Sequence, residues 1–172
     1  MKQTILVVAA ALTLSAFTIV TDGWKKVSVT EKISLEMPTD PVDITNGPQK
    51  IKKCVLADSS EIVSVLIDFS AFGMSEEQLD GMKETEEFKE QLKMGVSQGG
   101  AQIIRESEGR YKDKYFYYQF DISAEKDGKK TVITNRMIFY KSFGVTLGYK
   151  AGKNGENKEW MDKYFNSLVI TE

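Results

Sequence analysis

The chain has 172 residues, 41% of them hydrophobic and 28% charged, with 23 Lys and Arg against 25 Asp and Glu for a formal net charge of −2. It contains no histidine and one cysteine, which excludes a Ser-His-Asp triad, a Cys-His dyad, an imidazole metal site, a disulfide within the chain and a cysteine-rich zinc or iron–sulfur site. The near balance of charge offers no general attraction to nucleic acid.

Residues 4–20, TILVVAAALTLSAFTIV, carry no charge and follow Lys2. A basic start before a short apolar run is the pattern of a secretory signal. The run is 17 residues long, at the low edge of what spans a bilayer, so left uncleaved it would serve as an anchor. We expect residues 1–22 to be a signal peptide or membrane anchor and residues 23–172 to be a single α+β domain. The protein is then exported, periplasmic or extracellular, and touches a membrane only through the uncleaved segment. No cysteine stands at the end of the run to accept a lipid, so it is not expected to be a lipoprotein. A domain of roughly 150 residues buries about 70% of its unfolded surface and needs no metal or disulfide for stability.

Trp24–Val29 and Lys32–Met37 alternate apolar and polar residues, which predicts two half-buried strands closed by Pro38. PTDPVDITNGP, residues 38–48, holds all three prolines and Asn46-Gly47, and reads as a loop outside any sheet. Lys50–Ala57 and Glu61–Phe69 predict a strand pair about Asp58-Ser59-Ser60. Cys54 lies in KKCVLAD. A small buried hydrophobe is its ordinary reading and a reactive thiol the sharper one, with only Lys52 and Lys53 near enough to lower its pKa.

One helix is predicted from Ser75, with Glu76 and Glu77 in its first turn, Leu79, Met82, Phe88, Leu92 and Val96 as its apolar stripe, and Gly99-Gly100 as its end. Lys114–Glu125 and Lys130–Tyr140 flank Lys126-Asp127-Gly128-Lys129, and Asp-Gly at the centre predicts a tight hairpin turn. That register pairs Glu125 with Lys130, Ile122 with Ile133, Tyr118 with Met137 and Phe116 with Phe139. One hairpin face then holds Phe116, Tyr118, Phe120, Ile122, Ile133, Met137 and Phe139, interrupted by Asn135. The other holds Tyr115, Tyr117, Gln119, Asp121, Thr134, Arg136, Ile138 and Tyr140. A slip of one residue would scramble both faces. Val145–Lys150 adds a strand, Trp160, Met161, Tyr164, Phe165 and Leu168 mark a second helix starting at Asn154 or Asn157, and Leu168–Ile170 reads as a last short strand. Long hairpins and separated helices give an α+β class, an antiparallel sheet of about six to eight strands with helices packed on it.

The Trp-led opening strand with its partner Ile33-Ser34-Leu35-Glu36-Met37-Pro38, the amphipathic helix after Phe69, and the closing Trp160…Tyr164-Phe165-Asn166-Ser167-Leu168 resemble the PsbP-like group of exported α/β/α sandwich proteins over residues 24–171. The resemblance implies a single antiparallel sheet with helices on both sides and a role as an accessory or binding protein of the envelope or an assembly. It carries over no functional residue.

The candidate partner-binding residues are Tyr115, Tyr117, Arg136, Ile138 and Tyr140, because tyrosine and arginine are common interface anchors. The competing reading is a second core layer, in which the Trp160–Leu168 helix covers them and Asp121 makes a weak diagonal contact with Arg136. Glu76-Glu77 and Glu86-Glu87 read as solvated helix faces. Asp121 is a better acid, but lacks a partner carboxylate or nucleophile. Gly95, Gly99 and Gly100 end a helix, whereas a phosphate cradle opens one. Lys50, Lys52, Lys53, Lys112 and Lys114 read as solvated edge-strand lysines. No catalytic residue, cofactor or metal is expected. The function expected is that of an exported non-catalytic accessory or binding protein of the cell envelope, contacting a protein partner. The alternative is a small-molecule or lipid carrier with an apolar cavity near Phe116, Phe120 and Leu92.

Overall fold

The computed structural model describes residues 23–126 and 129–171. The signal-segment reading of residues 1–22 and the Asp127-Gly128 turn fall outside the described residues.

Alternation and the Pro38 stop produce β1 (Lys25–Ser28) and β2 (Ile33–Met37), paired antiparallel. They do not join the main sheet. With β10 (Val169–Ile170) they form a separate three-stranded sheet in the order β1-β2-β10, where the resemblance implies one sheet only. The main sheet has seven strands, each antiparallel to its neighbours. In chain order they are β3 (Val42–Asn46), β4 (Gln49–Val55), β5 (Glu61–Asp68), β6 (Ala101–Tyr111), β7 (Tyr115–Lys126), β8 (Lys129–Tyr140) and β9 (Phe143–Lys150). Their spatial order is β3-β4-β5-β9-β8-β7-β6.

Two of these strands correct the sequence reading. β3 lies inside the proline-rich segment 38–48, whose composition predicts a loop. Pro41 precedes it and Pro48 falls in the turn to β4, so neither ring interrupts its pairing, and it occupies a sheet edge where a strand bounded by prolines is tolerated. β6 is not predicted from the sequence, because six of its eleven residues are polar or charged. Among the described residues it forms the other edge, paired with β7 alone.

The predicted single helix is two, α1 (Glu76–Met82) and α2 (Glu86–Gln98). Leu79 and Phe88 are both buried, yet nine residues make about two and a half turns, which would place them on opposite sides of one straight helix. The chain re-phases at Thr85, whose hydroxyl accepts from the Phe88 N–H and caps α2, while Ser75 and Gln78 form a capping box on α1. The last helix, α3 (Lys158–Asn166), is capped by Asn157.

The β7–β8 register is the predicted one, with Glu125 opposite Lys130, Ile122 opposite Ile133 and Tyr118 opposite Met137. Pairing of Lys126 with Lys129 leaves two residues for the turn. The two hairpin faces therefore enter two separate cores. Phe116, Tyr118, Phe120, Met137 and Phe139 pack under Leu79, Phe88, Leu92 and Val96 of α1 and α2. On the opposite face Ile138, Tyr140, Val145 and Leu147 pack against Leu35 and Met37 of the small sheet and Tyr164, Phe165 and Leu168 of the α3 region.

Candidate functional site

The five residues singled out lie on the α3 face of β7 and β8, and the structure divides them. Ile138 is 0% exposed and Tyr140 8%. Both are core residues, with Tyr115 edge-on to Tyr140 at 5.8 Å between ring centroids. Tyr115, Tyr117 and Arg136 are half-buried. The second core layer therefore takes Ile138 and Tyr140 of β8, while Tyr115 and Tyr117 opposite them on β7, with Arg136, remain half-open at its border.

Arg136 and Tyr117 are the centre of that surface. The Arg136 guanidinium lies over the Tyr117 ring at 4.9 Å and over the Phe165 ring of α3 at 5.0 Å. Its Nε donates to Gln119 Oε1 at 2.9 Å across the strand pair. Burial pulls the Arg136 pKa down, against smaller opposing effects of Tyr117, Tyr111 and Asp162. Tyr117 lies across β6 where Gly109 leaves room, since a Cβ at position 109 would sit 2.8 Å from the Tyr117 hydroxyl. A glycine inside a strand marks this kind of close approach.

Asp121, buried to 4% exposure, does not make the expected diagonal contact with Arg136. It pairs with Arg105 of β6 at 2.6 Å. The reason is an irregularity in β6. Ile103 opposes Ile122 toward the α2 core, but the register shifts before Arg105, which opposes Asp121 instead of Phe120. The shift turns Arg105 onto the α3 face, and a bulge commonly re-aims a side chain in this way. Ile104, within the shift, is exposed.

Lys53 also departs from the sequence reading. It is not a solvated edge lysine: its side chain is 5% exposed and its Nζ lies 2.7 Å from Glu61 Oε2, while Lys150 holds Glu61 Oε1. β4 is an interior strand, with β3 outside it, so position 53 faces packed chain. Across the sheet, Phe116, Phe120 and Leu92, the residues of the alternative carrier reading, are packed in the α2 core.

Cys54 is buried at 3% exposure, its thiol donating to the Thr39 carbonyl at 3.4 Å beside Met37 Sδ. Burial pushes the thiol pKa up and outweighs the opposing hydrogen bond to Thr39. A thiol so placed is inert. Labelling by an aromatic disulfide reagent is expected to be on the order of a hundredfold slower in native protein than in urea-unfolded protein. Equal rates would place Cys54 at the surface.

No family model matches the sequence, and no curated protein matches it. Solved structures do match. The solution structure of cyanobacterial PsbP (CyanoP) from Synechocystis sp. PCC 6803 superposes with a TM-score of 0.56 at 11% identity, covering 87% of this chain and 94% of that one. The architecture is PsbP-like. PA94 of Pseudomonas aeruginosa, a protein of unknown function, matches with a TM-score of 0.54 at 10% identity over 87% of this chain and 98% of that one. A Bacteroides thetaiotaomicron crystal structure matches with a TM-score of 0.54 at 13% identity over 88% of this chain. This chain spans half the length of that Bacteroides chain. At these identities the PsbP-like likeness is one of fold.

The sequence signals for the residues on and beside this surface differ in strength. Tyr117 and Arg136 stood out by residue type and register. Phe165 was legible as part of a helical stripe but not as a ring over Arg136. Gly109 and Arg105 lie in the strand that the sequence reading left out.

Proposed function

We propose that the protein is an exported, non-catalytic accessory or binding protein of the cell envelope, which contacts a protein partner through the half-open surface formed by Tyr115, Tyr117 and Arg136. Ile138 and Tyr140 act from beneath, as the core layer that fixes these side chains. The observation that carries the reading is the sandwich of Arg136 between Tyr117 and Phe165 at 4.9 and 5.0 Å, half-buried at the border of the core. Arginine and tyrosine held rigidly in a partly desolvated patch lose little conformational freedom on binding, which suits an anchor. The apolar leader and the PsbP-like architecture support an envelope setting.

The test is a pull-down from the exported fraction of the producing cell, using tagged protein with and without Tyr117→Ala, each checked for native circular dichroism. A partner held by the unaltered protein and lost with Tyr117→Ala is the expected result. Recovery of nothing by either, or of the same partner by both, would overturn the reading.

A further inference from the structure

Arg136 is a cation that the fold half-buries and does not neutralise. Its Nε–H is used by Gln119, which accounts for one of the five donors of a guanidinium. Among the described residues no carboxylate forms an ion pair with it. Asp121, the acid nearest by register, is held by Arg105 at 2.6 Å. Asp162 on α3 acts on it only through space. Taking a charge partly out of water without an anion is costly, and such groups are usually paired. The rings of Tyr117 and Phe165 attract the cation but accept no N–H bonds in its plane.

The chemistry that would complete this arrangement is narrow. A planar fork stacked against aromatic rings presents two parallel N–H groups, matching the spacing of two carboxylate oxygens. Asp162, the acid whose charge reaches Arg136, would oppose a doubly charged phosphate more than a singly charged carboxylate. We infer that the Nη edge of Arg136 receives one carboxylate group, and that the protein partner brings it as the side chain of an aspartate or glutamate. The second half of this statement rests on the proposed function. The first half does not.

The experiment is guanidinium-detected ¹⁵N NMR on the purified protein, titrated at matched ionic strength with acetate, chloride, inorganic phosphate, and a capped glutamate peptide against its glutamine counterpart. The Arg136 Nε–H signal is expected to move saturably with acetate and with the glutamate peptide, with half-saturation on the order of millimolar for so small a ligand. Chloride and the glutamine peptide are expected to leave it in place. Arg136→Lys keeps the charge but removes the fork, and is expected to weaken the response of neighbouring backbone amides about tenfold. Gly109→Ala, which pushes Tyr117 off its seat, is expected to weaken it as well. No saturable movement with any carboxylate, or phosphate binding as tightly as acetate, overturns the inference. Saturation by acetate but not by the glutamate peptide overturns the assignment of an acidic side chain. These readouts need no partner. A failed pull-down with a normal titration removes the proposed function alone, and the reverse removes the carboxylate alone.

Discussion

Phe139→Ala is expected to lower the stability of the fold by about 3–5 kcal/mol, with the urea midpoint falling by roughly 2 M at an unchanged slope. Phe139 is 3% exposed and stands at the centre of an aromatic group, 5.6 Å from Phe88, 5.9 Å from Phe116 and 6.4 Å from Phe69 between ring centroids. These rings come from the neighbouring strand β7, the turn after β5 and helix α2, so one truncation loosens the seam between helix and sheet. A close-packed interior cannot collapse around a void of that size without moving backbone. Phe139→Leu, which keeps most of the volume, is expected to cost less than about 1.5 kcal/mol. Equal losses from both substitutions would mean that shape complementarity is not what holds α2 down.

Glu61→Gln carries the second large effect. The carboxylate stands between Lys53 and Lys150, with Lys53 and Glu61 side chains 5% and 11% exposed. Removing its charge leaves Lys53 buried without a counter-ion, expected to cost about 3 kcal/mol. Lys53→Met in the same chain is expected to return most of that loss, because it removes the stranded charge. The pH dependence follows from the same contacts. Burial alone would raise the Glu61 pKa, but the hydrogen bond from Lys150 and the close positive charges of Lys53 and Lys150 outweigh it and hold the carboxyl below its ordinary value. A carboxyl depressed in the folded state contributes stability above the ordinary glutamate range and loses it as pH falls through the folded pKa. Denaturation curves across the acid range should show this loss in the unaltered protein and a flatter profile in Glu61→Gln. Parallel profiles would remove Glu61 as the titrating group.

Legibility in the sequence followed the kind of signal each segment carries. The β7–β8 hairpin was readable because side-chain period and turn chemistry both fix one register, and pairing of Tyr118 with Met137 obeys it. β6 was not, since its outward residues are charged at a sheet edge and the shift between Ile103 and Arg105 breaks its alternation. β3 was hidden by prolines that lie just outside its paired residues. The helix break was in principle visible, as the phase between Leu79 and Phe88 fits no single helix. At the candidate site the residue types of Tyr117 and Arg136 could be chosen from pattern alone. The partners that orient them, Phe165 and Gly109, come from elements remote in sequence, and only the tertiary arrangement brings them in.

The pairing of β10 with β2 ties the two ends of the folded region together. Thr171 N–H reaches the Lys32 carbonyl at 2.8 Å and Glu36 N–H the Ser167 hydroxyl at 3.0 Å, contacts that span most of the chain. Loop-closure entropy makes such distant contacts slow to form. During synthesis, β1 and β2 must therefore wait for β10 to emerge before their layer can close, leaving the Leu35 and Met37 side chains uncovered until then.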